Sequence, residues 1–117
     1  MRLVLIGYGK MGRMVEKVAQ ESGHEITGIV DPQTNPGIGF SDDWQETVDA
    51  LIDFSVGAQV PSNVESAVKR GIPIVVGTTG WNEELDKVQK LVHLNKGTCI
   101  HSSNFSMGVQ ALFYLVN

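Results

Sequence analysis

Leu3-Val4-Leu5-Ile6-Gly7-Tyr8-Gly9-Lys10-Met11-Gly12 decides the fold. A short apolar run stops at a glycine-rich turn, and a helical pattern follows directly. The spacing Gly7, Gly9, Gly12 is a dinucleotide-binding fingerprint in which each glycine has a mechanical task. Gly7 permits the tight turn at the strand end. Gly9 lets a pyrophosphate approach the backbone, and Gly12 lets the helix pack close to the strand. The helix N-terminus then offers N–H groups and partial positive charge to the phosphates. A lone triplet is weak, because glycine makes up 13 of the 117 residues, so the rest of the chain must support it.

Outward from that turn, apolar strands alternate with amphipathic helices. Met11, Val15, Val18 and Ala19 recur at helical spacing, and Ser22-Gly23 stops that helix. Residues 25–30 predict a second strand closing at Asp31, and a Pro-, Gly- and Asn-rich loop follows over 31–39. Ser41, with Asp42 and Asp43 behind it, predicts the N-cap of a short helix ending near Val48. Strands follow at 50–54, 72–76 and 98–101, with helices over 59–70 and 82–94 between them. Val109, Leu112, Phe113 and Val116 begin one more amphipathic stretch, in a helix expected from about residue 105. The alternation predicts one domain over 1–117: a doubly wound parallel α/β sheet of the Rossmann type. The expected strand order is 3-2-1-4-5, with a ligand crevice at the carboxyl ends of the strands.

Composition narrows the classes. A net charge of −4 argues against a non-specific nucleic-acid or anionic-membrane binder, both of which need a basic face. The single cysteine, Cys99, excludes an intrachain disulfide and suits a reducing, cytoplasmic setting. The apolar run before Gly7 is too short for a signal-peptide core or a membrane span. Spacing gathers no His/Cys cluster, so no metal site is expected. His101 is the one histidine placed near the strand ends, and Cys99 reads as core.

In such a sheet a ligand touches the residues just after each strand. These are Gly7-Tyr8-Gly9-Lys10-Met11-Gly12, then Asp31, Phe54-Ser55, Gly77-Thr78-Thr79-Gly80 and Ser102-Ser103-Asn104-Phe105, all turn-forming, small or hydrogen-bonding. Asp31 follows the turn at about the 20-residue interval at which an acid accepts from the adenosine ribose hydroxyls. That carboxylate repels a 2′-phosphate, and Pro32 rather than an arginine follows it, so NADH is favoured over NADPH. Lys10 and Arg13 stay candidates for a phosphate clamp. Gly77-Thr78-Thr79 suits the nicotinamide end, while Ser102 to Ser106 reads equally as helix-capping residues.

Gly77-Thr78-Thr79-Gly80-Trp81, Ser103-Asn104-Phe105-Ser106-Met107-Gly108-Val109 and Ile52-Asp53-Phe54-Ser55 together resemble the dihydrodipicolinate reductase (4-hydroxy-tetrahydrodipicolinate reductase) family. The motifs match in order along the whole chain. One departure is at the first turn, where Lys10-Met11-Gly12 replaces the family's Gly-Arg-Met-Gly and leaves cofactor preference open. The resemblance implies an NAD(P)H-dependent oxidoreductase of lysine and diaminopimelate biosynthesis that transfers hydride to a cyclic imine dicarboxylate. It places the pyrophosphate on Gly7 to Gly12 and the adenosine ribose on Asp31. It places the nicotinamide end on Gly77, Thr78, Thr79 and the backbone of Ser102, Ser103, Asn104 and Phe105, with Thr79 also beside the substrate, and Phe54 counts among the cofactor-binding residues. It further implies homotetramers, and a second domain bearing a His-His pair, a lysine and a Gly-Thr segment that grip the substrate. No counterpart of that domain stands in these residues, so no catalytic residue is assigned within them and little activity is expected from them alone. The competing readings are a non-catalytic dinucleotide-binding regulatory module and an inactive truncated product.

Overall fold

The computed structural model describes residues 1–31, 44–78 and 80–101. Strands β1 (Arg2–Ile6), β2 (Glu25–Val30), β3 (Ala50–Asp53), β4 (Ile74–Val76) and β5 (Cys99–His101) form one sheet. Its helices are α1 (Lys10–Glu21), α2 (Trp44–Thr47), α3 (Val60–Lys69) and α4 (Leu85–Leu94). Short 3₁₀ turns at Gly57–Gln59 and Asn82–Glu84 lead into α3 and α4. Every strand pair is parallel.

The doubly wound parallel sheet is the expected one, but its order is 2-1-3-4-5 rather than 3-2-1-4-5. The third strand pairs directly with β1, Leu3 to Ile6 against Ala50 to Asp53, instead of lying outside β2. Burial explains the placement. All four residues of β3 are buried, which requires a neighbour on each edge and a cover on each face. Only the first residue of β1 is exposed, whereas β2 is exposed at alternate early positions and takes an edge.

Side-chain alternation divides the core between the two faces of the sheet. Val4, Ile6, Leu51, Ile74 and Val76 pack with Val60, Val64, Ala67 and Val68 of α3 and Val88 of α4. Leu3, Leu5, Ala50, Ile52 and Val75 face the other way, against Val15 and Ala19 of α1. The buried face of α1 is therefore Gly12-Val15-Ala19, while Met11 and Val18, expected inside, stand 41% and 39% exposed. The helix is rotated because Gly12, lacking a side chain, is the residue that lies against the strand end. The predicted N-cap at Ser41 and the amphipathic stretch beyond residue 105 lie outside the described residues.

At the opposite end of β1 the N-terminal ammonium of Met1 donates to Nδ1 of His24 at 2.9 Å. Partial burial, and secondarily the ammonium, hold the His24 ring below the ordinary imidazole pKa. The fold thus prefers the neutral ring. On acidification the unfolded chain takes up the proton first, so this contribution is complete above about pH 6.5 and declines below it. The urea midpoint of the wild type is expected to fall more between pH 7.5 and pH 5.5 than that of His24→Gln. Parallel curves for the two proteins contradict the assignment.

Candidate functional site

The topology has one reversal. From β1 the chain runs outward to β2, then crosses back to β3 on the other side of β1. Ligands of open α/β sheets bind outside the carboxyl ends of the strands at such a switch point. A cleft of about 520 Å³ lies there, lined by Ile6, Gly7, Tyr8 and Gly9 after β1, Val30 and Asp31 after β2, and Phe54, Ser55 and Val56 after β3, with Gln59 and Asn63. A second cleft of about 360 Å³ shares Phe54, Ser55 and Val56 and continues to Met11, Gly57, Gly77 and Thr78.

The glycine turn has the geometry that the spacing implies. Gly7 has φ +91°, a left-handed conformation that favours glycine, and its N–H donates to the carbonyl of Val30 at 2.7 Å. A Cβ on Gly7 would stand 2.7 Å from the Phe54 carbonyl oxygen, and one on Gly12 would stand 2.7 Å from the Gly7 carbonyl oxygen. These two glycines set strand against strand and helix against strand. Gly9 is different: a Cβ there would meet nothing within 4 Å, so its backbone faces open space. Gly9 is also the N-cap of α1, with no side-chain cap and no acid in the first turn. The first helical bond is Arg13 N–H to Gly9 C=O, so earlier N–H groups are directed out of the helix end. Open backbone and an uncapped helix start fit a pyrophosphate.

Tyr8 is held over this turn. Its hydroxyl donates to Glu16 at 2.6 Å, and the Arg13 guanidinium sits 4.8 Å from its ring centroid. The Glu16 bond is the main reason that the phenol is held above its ordinary pKa. Arg13 is thus engaged on Tyr8, and neither Arg13 nor Lys10 lines either cleft. Met11 reaches the second cleft from the first turn of α1.

Gly77 closes the far side of the crevice. A Cβ there would overlap the Phe54 ring, so the ring rests on bare backbone. Thr78 is tied at both ends. Its hydroxyl lies 3.1 Å from Asp53 Oδ1 and 3.2 Å from the Asp53 carbonyl oxygen, and its own carbonyl accepts from Trp81 Nε1 at 2.7 Å. The Thr78 hydroxyl proton is therefore committed within the protein, and an acceptor lone pair and the backbone are what remain for a ligand. Thr79 and Ser102, Ser103, Asn104 and Phe105 lie outside the described residues.

His101 departs from its expected place, Cys99 keeps the core place expected of it, and Asp53 is central where no role was expected. His101 lies away from the crevice, its ring edge-on to Trp81 with centroids 5.4 Å apart, in a groove between α4 and β5. Cys99 is a half-buried core thiol that burial, and then the Asp53 carboxylate, push up to about 11, which leaves it unreactive at neutral pH. Asp53 itself, quoted only as part of a strand-end motif, is fully buried at the centre of the site. The signal available for it is an acid closing an otherwise apolar strand. Among the described residues no group of three or more His, Cys, Asp or Glu could hold a metal ion, and no helix is long and apolar enough to cross a membrane.

A parallel sheet wound on both faces, with a glycine turn and an uncapped helix at its switch point, defines a Rossmann-type α/β domain. The family model described as dihydrodipicolinate reductase, N-terminus, matches residues 1–105, and the chain belongs to that family. The 4-hydroxy-tetrahydrodipicolinate reductase of Christiangramia forsetii is 34% identical over 115 residues, covering 98% of this chain and 46% of that protein. That of Caldanaerobacter subterraneus is 38% identical over 123 residues, covering 98% and 48%. The chain spans about half the length of the curated relatives it matches. Among solved structures, the dipicolinate-bound dihydrodipicolinate reductase of Paenisporosarcina sp. TG-14 superposes with a TM-score of 0.71 at 22% identity, over 92% of this chain and 48% of that one. A scyllo-inositol dehydrogenase of Lactobacillus casei with bound NAD(H) and scyllo-inositol gives 0.65 at 13% identity, over 87% and 36%. These two likenesses concern the fold.

Proposed function

We propose that these residues are the cofactor-binding half of an NAD(P)H-dependent reductase of lysine and diaminopimelate biosynthesis, working in the cytoplasm on a cyclic imine dicarboxylate. The observation that carries this reading is the crevice at the switch point, where Gly7, Gly9, Asp31 and Phe54 meet in a chain of this family. Gly7 to Gly12 bind the pyrophosphate, with the open Gly9 backbone against it. Asp31 accepts from the adenosine ribose. Phe54 and Gly77-Thr78 support the nicotinamide end, with Thr79 and Ser102 to Phe105 completing that side and Thr79 nearest the substrate. The bound nicotinamide supplies the hydride. The protein residues bind it, orient it and shield one of its faces. Substrate-gripping groups and tetramer contacts come from a second domain, as the family resemblance implies.

NADH is the favoured cofactor, because a carboxylate at Asp31 accepts from two ribose hydroxyls but repels a 2′-phosphate. Asp31→Ala is expected to weaken NADH by about tenfold, the scale of one charge-assisted hydrogen bond, and NADPH by less. Calorimetric titration of both dinucleotides against both proteins checks this. Equal losses for the two cofactors remove Asp31 from the ribose site.

A further inference from the structure

We infer that Asp53 is the positioning residue of the dinucleotide crevice: its buried carboxylate ties the segment after β3 to the segment after β4 and so holds the nicotinamide shelf in one piece. This inference rests on the cofactor site proposed above. Asp53 closes β3 between Ile6 of β1 and Val76 of β4, at zero exposure. A carboxylate at such depth persists only when it is well bonded. Oδ1 accepts the Ser55 backbone N–H at 2.7 Å and the Thr78 hydroxyl at 3.1 Å. Oδ2 accepts Nδ2 of Asn63 at 3.0 Å, and the same amide reaches the Ser55 hydroxyl at 3.2 Å. The Asp53 carbonyl takes the Gly77 N–H at 2.9 Å.

The direction of these bonds separates positioning from plain stabilisation. Ser55, Asn63 and Thr78 all line the two clefts, and all three converge on one side chain. The surrounding core is apolar, and a buried polar cluster stabilises such a core no better than packed hydrocarbon of similar volume. The cluster instead fixes the two loops beyond the last ladder bonds, Phe54 N–H to the Ile6 carbonyl and Gly77 N–H to the Asp53 carbonyl. Phe54, between Asp53 and Ser55, is thereby pressed onto Gly77, and Thr78 is held from below by Asp53 and from the side by Trp81.

The test compares NADH with ADP-ribose, which has the adenosine, pyrophosphate and both riboses but no nicotinamide. Asn63→Asp brings a second carboxylate to Asp53 at the present 3.0 Å spacing, and like charges at that distance repel. The expected result is an NADH Kd raised about tenfold with ADP-ribose changed less than about twofold, a divergence confined to the nicotinamide end. The exchanged pair Asp53→Asn with Asn63→Asp restores one donor and one acceptor and returns NADH binding to the wild-type range. Equal losses of NADH and ADP-ribose, or unchanged NADH binding in N63D, overturn the inference. If N63D does not fold, Thr78→Val and Thr78→Ser decide: the valine variant loses NADH affinity selectively and the serine variant keeps it, and equal behaviour of the two overturns the inference. Wild-type protein that binds neither NADH nor NADPH overturns the proposed cofactor site itself, an outcome distinct from a binding wild type with indifferent variants.

Discussion

Gly7→Ala is expected to cost the fold a substantial part of its margin, whereas Gly9→Ala, two residues on, leaves the fold intact and weakens dinucleotide binding. At Gly7 the backbone is left-handed with φ +91°, which costs a residue bearing a Cβ about 1–2 kcal/mol. The new Cβ would also stand 2.7 Å from the Phe54 carbonyl oxygen and 3.0 Å from the Ser55 nitrogen, so β1 and β3 must part at their carboxyl ends. Overpacking of that kind adds about 1–3 kcal/mol. Together they amount to about 3 kcal/mol, or about 10 °C in Tm for a domain of this size. At Gly9 there is neither penalty, since φ is −83° and a Cβ meets open space. That open space is where the proposed site puts the phosphates, so a methyl group there is expected to displace them at a loss of about tenfold or more in affinity. Thermal unfolding and NADH titration of both variants check the pair. A Gly9→Ala protein that binds NADH as the wild type does removes the pyrophosphate from this turn.

The contrast also shows what was legible in the sequence. The three glycines are equivalent in a spacing pattern, but the structure separates two that are filled by backbone from one that is open. Strands and helices were readable because their apolar periods are unambiguous: β3 is apolar up to its last residue and α3 repeats Val60, Val64, Ala67 and Val68 inward. Strand order was not readable, since pairing β3 with β1 depends on which strand can be covered on both faces, a property of the assembled sheet. Asp31 and Phe54 stand out as crevice residues because they fall directly after strands. Asn63 does not, because it enters the crevice from the buried face of α3, where its helical spacing marks only core. His101 misleads for the converse reason: it follows the strand-end rule, yet β5 lies farthest from the switch point and its ring turns to Trp81.

A polypeptide of these 117 residues is expected to bind a dinucleotide and to reduce almost nothing. The reason lies in the charge of the crevice. Among the described residues lining its two clefts there is no lysine or arginine, and the one charged side chain at the rim is the carboxylate of Asp31. The proposed dicarboxylate substrate brings two negative charges to clefts whose described lining offers no opposing charge, and burying them there is unfavourable. Lys10 is exposed at the start of α1, and Arg13 stacks on Tyr8, so neither is directed at the nicotinamide end. Oriented substrate binding contributes about 7–11 kcal/mol to a two-reactant step, and its loss alone removes more than about ten-thousand-fold in rate. Steady-state NADH oxidation with the cyclic imine substrate is therefore expected to lie at least that far below a two-domain relative assayed beside it. Saturating concentrations of substrate should not close the gap, because the missing term is orientation as well as affinity. Turnover within about tenfold of the two-domain enzyme would place a dicarboxylate clamp within these residues and overturn the division of labour between cofactor half and substrate half.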